Sequence, residues 1–165
     1  MINLTDYCWH SGSGETISVE EILQDIKESK LSNSLIELHV GTDSDPNGKK
    51  FANATGIVLR FPGSGCRYYW TRTYLDPIKN KNLAVRLNAE VTQTVFIADA
   101  LRKALEGGFE IIVHIDCSPN IKHRSGIYTK QLKSYAVGMG FTVKVKPNSW
   151  AASCIADKHA KKIYL

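Results

Sequence analysis

Two carboxylates end apolar runs in this chain, and their placement is where chemistry could begin. Residues 35–45 read Leu-Ile-Glu-Leu-His-Val-Gly-Thr-Asp-Ser-Asp, an extended stretch that runs out into Asp43 and Asp45. Residues 110–116 read Glu-Ile-Ile-Val-His-Ile-Asp and end on Asp116. A strand that delivers a carboxylate at its carboxyl end is a common way for an α/β sheet to present a site. If the two strands lie side by side, Asp43 and Asp116 can share a divalent cation. Glu90 stands three residues after Leu87 and seven after Leu83, on the apolar stripe of a long helical stretch. An acid there is costly to bury unless positive charge meets it. Either Arg86, one turn back, supplies that charge, or Glu90 points at a cation at the edge of the sheet. Asp157 lies one turn before Lys161 in the last helical stretch. Four crowded carboxylates repel, so some would take up protons unless a cation neutralised them. Hard ions such as Mg²⁺ or Mn²⁺ prefer carboxylate oxygen. Two of them ~3.5–4 Å apart stabilise the attacking and leaving oxygens of an in-line phosphoryl displacement.

The surroundings of these acids are basic. The 165-residue chain carries a net charge of +5, with a pI near 9.0. Lys122-His123-Arg124, Lys130, Lys133, Lys144, Lys146 and the run from Lys158 to Lys162 crowd the last third. A basic surface around an acidic pocket suits a phosphate backbone brought to a bound metal. Ser44, Lys122, Arg124, Lys146, Lys158 and Lys161 are therefore candidates to bind substrate, and nucleic acid is the expected partner. Asp45, His114 and His159 are candidates to support the acids or move protons. For His39 and His114, on strands expected to be central, burial in the core with satisfied ring nitrogens is the favoured reading. Lys158 and His159 could equally form a solvated helix face. His10 and His123 fall in loops and carry no specific signal. Ser44 and Ser118 flank the acids without an evident base, so they read as hydrogen-bonding and capping residues.

The elements that must position these residues follow from periodicity. Residues 1–17 read as loop. Ser18-Val-Glu-Glu21 matches a capping box opening an amphipathic helix over 19–30. Strands are expected at 35–43, 51–60 and 66–75, the first turning through Pro46, Asn47 and Gly48, the last two joined by the Pro62-Gly-Ser-Gly65 hairpin. Along the third, Tyr68 and Trp70 face one way and Arg67, Tyr69 and Thr71 the other. Core packing explains these aromatics better than base stacking. A helix over 81–106 ends at Gly107-Gly108, a strand covers 110–116, a helix 125–138, a strand 141–146 and a helix 150–163. A right-handed crossover through the long helix sets the fourth strand parallel to the first. The expected sheet order is 3-2-1-4-5, strand 2 antiparallel, with helices flanking it. This is one α/β domain whose switch point lies where Asp43 and Asp116 end.

No apolar run approaches the ~20 residues of a membrane span. The first residues lack the basic and apolar regions of a signal peptide, so the expected location is the cytoplasm. Cys8, Cys66, Cys117 and Cys154 are scattered without metal-site spacing and read as reduced thiols.

An acid on strand one, a Glu on the first long helix, an acid on strand four and an acid on the last helix resemble the ribonuclease H fold superfamily. Gly41-Thr-Asp-Ser44, Arg86-Leu-Asn-Ala-Glu-Val91, His114-Ile-Asp116, Gly138-Met-Gly-Phe141 and Lys146-Pro-Asn-Ser-Trp-Ala-Ala-Ser-Cys-Ile-Ala-Asp157 resemble the bacterial YkuK-type, ribonuclease H-like family. The resemblance spans about residues 15–163. It implies a metal-dependent nuclease with Asp43, Glu90, Asp116 and Asp157 as the acidic tetrad, and it supplies no substrate. Two features depart from the ribonuclease H pattern. Asp45 is an extra acid, and the segment before Asp157 lacks the His-bearing loop common in bacterial ribonucleases H. The alternative to a nuclease is a non-catalytic nucleic-acid-binding module on the same fold. An exonuclease of the DEDD type, suggested by Asp43-x-Asp45, ranks lower because its last acid sits in a different local motif.

Overall fold

A computed structural model describes residues 3–46 and 50–161. A short 3₁₀ turn, Leu4–Asp6, leads into β1 (Trp9–Ser11) and β2 (Thr16–Ile17), then α1 (Val19–Ser32). Strands β3 (Glu37–Asp45), β4 (Phe51–Phe61) and β5 (Gly65–Leu75) follow as an antiparallel meander. Next come α2 (Leu83–Ala104), β6 (Ile111–Ile115), α3 (Gly126–Gly138) and β7 (Thr142–Val145). The last element begins as a π-helical segment, Ala151–Ala156, and continues as α4, Asp157–Lys161.

All seven strands form one mixed sheet in the order β2-β1-β5-β4-β3-β6-β7. The expected order of five strands is embedded in it, with β6 parallel to β3 and β7 parallel to β6. Residues 1–17 are not simply loop. Trp9–Ser11 pairs antiparallel with β5, and Thr16–Ile17 pairs with β1. Three-residue and two-residue strands leave no readable alternation, so the pattern that reveals longer strands is missing here. Trp9 is the anchor: it is 1% exposed, and its indole N–H donates to the Leu4 carbonyl at 2.9 Å. The expected turn after the first strand falls partly on residues 47–49, outside the described residues, as do 162 and 163 of the expected last helix.

The two faces of the sheet are covered differently. Leu38 and Val40 of β3, Ile57 and Leu59 of β4, and Val113 and Ile115 of β6 point into the main core. That core also takes Ile22 and Ile26 of α1, Val91, Val95, Ala98 and Leu101 of α2, and Leu132 and Ala136 of α3. The capping box of α1 is formed, with the Glu21 amide donating to Ser18 Oγ at 3.2 Å and the Ser18 amide to Glu21 Oε2 at 2.9 Å. Asn82 caps α2 through the amides of Ala84 and Val85, so that helix starts two residues later than periodicity suggests. It ends with Glu106, Gly107 and Gly108 all at positive φ.

The opposite face carries the C-terminal segment. Alternation puts His39, Gly41 and Asp43 there. An added Cβ on Gly41 would lie 2.6 Å from the Ala152 backbone nitrogen, and one on its partner Gly56 would lie 3.0 Å from Ile155 Cγ2. These two glycines let a helix seat directly on the strands. Tyr69 and Trp70 are both buried, on opposite faces. Tyr69 donates its hydroxyl to Asp25 of α1, whereas Trp70 stacks on His159 of α4 at 4.1 Å. Tyr69 and Trp70 thus serve packing, whereas Tyr74 of the same strand is exposed.

Candidate functional site

The carboxyl ends of β3 and β6 open into a cleft of about 660 Å³. Asp43, Ser44, Lys81, Leu83, Arg86, Leu87, Glu90, Asp116, His123, Arg124, Ser125 and Lys146 line it. Three of the four acids singled out by spacing therefore share one cavity, although they lie up to 73 residues apart (116 − 43) in the chain. They approach from different sides. Asp43 projects from the face that carries the C-terminal helix. Glu90 comes from α2 on the other face, where Ser44 of the same strand meets it. Asp116 follows directly after β6.

Each acid is answered by a neighbour. The Ser44 hydroxyl donates to Glu90 Oε1 at 2.5 Å, and Arg86 Nε stands 3.8 Å from the same oxygen. The Arg86 pairing read from the sequence is thus present, but as one of two partners. Asp116 Oδ2 is 3.2 Å from Lys146 Nζ, and its Oδ1 accepts from the Ser149 hydroxyl at 3.5 Å. Asp157 holds Lys161 Nζ at 2.7 Å. Asp43 accepts from the Ser44 amide at 2.9 Å and shares a hydrogen bond with Asp157. Asp157 does not line the cleft, but this bond ties it to the residue that does.

Burial, the Glu90 charge and the bond to Asp157 push the Asp43 carboxyl up to about 8. Burial raises Glu90 to about 7, against the lowering effect of Ser44 and Arg86. Both acids thus tend to hold protons near neutrality, as crowded carboxylates must when no stronger charge compensates them. The donors are all carboxylate oxygens, the set a hard divalent cation takes. In kind of donor and in shared cavity the residues fit such an ion. As the side chains stand, they turn to their neighbours, and among the described residues no three His, Cys, Asp or Glu side chains are grouped to hold a metal.

The remaining candidates divide. Arg124 and Lys146 line the cleft, and Ser44 orients Glu90. Lys122 and Lys158 are exposed and not among the lining residues. Lys161 is occupied by Asp157, which raises its pKa. Asp45 ends β3 on the same face as Asp43. His159 is buried against Trp70 and 3.3 Å from the Tyr68 hydroxyl, turned away from the cleft. Lys81, His123 and Ser149 were not singled out by spacing. Lys81 is a basic residue just before the helix that carries Glu90, and Ser149 follows Pro147 just before the C-terminal helix. These were the available signals.

His39 and His114 form a buried relay. The Ala151 amide donates to His114 Nδ1 at 3.0 Å, so the His114 proton sits on Nε2 and is given to His39 Nδ1 at 2.9 Å. His39 Nε2 then donates to Glu37 at 3.1 Å, and Glu37 also accepts from Arg60 at 2.7 Å. Burial lowers both rings and takes His114 to about 3, so both are neutral donors and acceptors at physiological pH. Trp150 closes over the pair, with ring centroids 4.7 Å and 5.0 Å away. His114 thus fixes the start of the segment that carries Asp157.

A family model described as Ribonuclease H-like matches residues 18–161. No curated protein and no solved structure matches the chain significantly.

Proposed function

Since the chain belongs to the ribonuclease H-like family, we propose that it is a divalent-metal-dependent nuclease hydrolysing phosphodiester bonds of nucleic acid, either the RNA of an RNA–DNA hybrid or structured RNA or DNA. The observation that carries this reading is the shared cleft. Asp43 of a strand, Glu90 of a helix and Asp116 just past a second strand line it together with Lys81, Arg86, Arg124 and Lys146. Asp43, Glu90, Asp116 and Asp157 would hold one or two Mg²⁺ or Mn²⁺ ions. When bound, such ions stabilise the attacking and leaving oxygens of an in-line displacement.

The protein's own groups do the rest. The basic rim neutralises phosphates and sets the backbone across the cleft, without reading sequence. Ser44 fixes the Glu90 carboxylate by donating to it. The helix seated on Gly41 and Gly56 holds Asp157 beside Asp43. The narrower likeness to the YkuK-type family rests on the five local words and is part of this proposal.

The direct test is cleavage of hybrid, RNA and structured DNA by the purified protein with Mg²⁺ or Mn²⁺. Asp116→Asn is expected to lose activity by at least about a hundredfold, on the scale of removing one electrostatic contact to a transition state, with its circular dichroism unchanged. Absence of cleavage with either metal would defeat the enzymatic reading. Mn²⁺ should also raise the melting temperature, since a ligand at a hundredfold excess over its Kd adds about 2.7 kcal/mol.

A second reading, a non-catalytic nucleic-acid-binding module, draws on the pairing of each acid within the chain. The lysine, arginine and serine partners let the cleft exist without a metal. No thermal shift with millimolar Mn²⁺, together with nucleic-acid binding in EDTA, would favour it.

A further inference from the structure

Lys146 stands in two roles that one ammonium group cannot fill at once. Its backbone is pinned, because the Lys146 amide donates to the Cys117 carbonyl at 3.1 Å, right beside Asp116. Its side chain is half-exposed at the lip of the cleft and lies 3.2 Å from Asp116 Oδ2. The other oxygen of Asp116 already accepts from Ser149. Both oxygens of this carboxylate are therefore engaged by the chain itself, one of them by a full positive charge. A divalent cation arriving at Asp116 would meet that ammonium at close range and would have to displace it. The lysine lines the same cleft as Arg124, and a phosphate there offers it a new partner.

We propose that Lys146 is a displaceable counter-ion, tying up Asp116 until a polyanionic phosphate backbone draws it away, so that metal and nucleic acid bind with positive coupling. The inference rests on the metal-dependent reading above and adds a coupling to it: the acidic site takes metal more tightly once substrate is present. Coupling of this kind is reciprocal, so metal must strengthen polyanion binding by the same factor that polyanion strengthens metal binding. Lys161 does not serve the same purpose, because it faces Asp157, which lies outside the cleft lining.

The test is Mn²⁺ binding by calorimetry to the full chain, without nucleic acid, for wild type, Lys146→Met, Lys146→Arg and Lys122→Met. Lys122→Met removes a charge that has no carboxylate partner among the described residues, and so measures the general electrostatic effect. Lys146→Met is expected to bind Mn²⁺ roughly threefold to fivefold more tightly than wild type, the scale of a half-exposed ion pair. Lys146→Arg and Lys122→Met should stay within about twofold of wild type on the same scale. In a second arm, a fluorescein-labelled phosphorothioate RNA–DNA hybrid is titrated with and without Mn²⁺. Mn²⁺ should tighten binding more in wild type than in Lys146→Met. Equal Mn²⁺ affinity in wild type and Lys146→Met, or equal tightening in the second arm, overturns the inference while leaving the metal site intact. Failure of both wild type and Lys146→Met to bind Mn²⁺ overturns the metal-dependent reading itself.

Discussion

The titrating residues of this protein act in opposite directions, and their windows separate. Asp43 rises from an ordinary 3.8 to about 8, and Glu90 from 4.5 to about 7. An acid whose folded-state pKa is raised keeps a proton that the unfolded chain has already released. Its contribution to stability is therefore lost as pH rises toward the folded value. His39 and His114 are lowered from 6.5, so they penalise folding as pH falls below 6.5. Below that pH the two effects oppose one another. Between about 6.5 and 8 only the acids titrate, and stability should fall. The melting temperature in EDTA is accordingly expected to drop from pH 6.5 to pH 8.5. Asp43→Asn should remove most of the slope, and saturating Mn²⁺ should flatten it by replacing protons with metal charge. A melting temperature that rises over this window in EDTA would contradict the arrangement of the two buried acids.

The decisive element is the C-terminal segment, which begins as a π-helix and delivers Asp157. Its seat is a pair of cross-strand glycines, and the two tolerate a methyl group differently. A Cβ on Gly41 meets backbone, which cannot yield, whereas one on Gly56 meets the Cγ2 methyl of the Ile155 side chain. Gly41→Ala should destabilise by about 1–3 kcal/mol or more, the usual scale of overpacking. Gly56→Ala should cost less. Urea midpoints at unchanged m-value would show the difference. Gly41→Ala should also weaken Mn²⁺ binding, because it moves the carrier of Asp157 away from Asp43. The buried relay from Ala151 through His114 and His39 to Glu37 holds the same segment at its start, beside the Gly41 contact. Both glycine and histidine sit two residues before an aspartate of the cleft: Gly41 before Asp43 and His114 before Asp116. The residues that build the seat thus share a strand face with the acids that line the cleft.

At the scale of the whole molecule, β1 covers the β5 edge at residues 69–71, and β2 lies outside β1. Trp9 couples this cover to the core, and Thr71 of β5 donates its hydroxyl to the Cys8 carbonyl. Trp9→Ala is expected to cost about 3–5 kcal/mol, as for other large-to-small changes at buried aromatics. It should also promote self-association by exposing the β5 edge, measurable by light scattering at equal fraction folded. No helix among the described residues is long and apolar enough to cross a membrane. The basic rim remains the surface feature to be explained by a partner.

Much of this architecture was legible in the chain, because long elements write their periods plainly. The meander, the long helix with Glu90 on its buried stripe and the parallel placing of β6 beside β3 follow from alternation, helical spacing and crossover handedness. The same patterns brought Asp43, Glu90 and Asp116 to one cleft. The N-terminal strands were invisible, since two or three residues carry no period. Of the acids' partners, Arg86 for Glu90, a single turn away, was legible, and those distant in the chain were not. Ser44 on Glu90, Lys146 on Asp116 and Asp157 on Asp43 are contacts between residues distant in the chain, and residue type alone does not say which of several nearby bases an acid will meet. The histidines make the same point, for composition offered five and only packing set two of them in a relay beneath Trp150. The sequence by itself determined which residues could be brought to the end of the sheet, because strand and helix periods are local properties of the chain. Only the tertiary structure decided how their charges are neutralised, because that depends on distances that local periodicity does not specify.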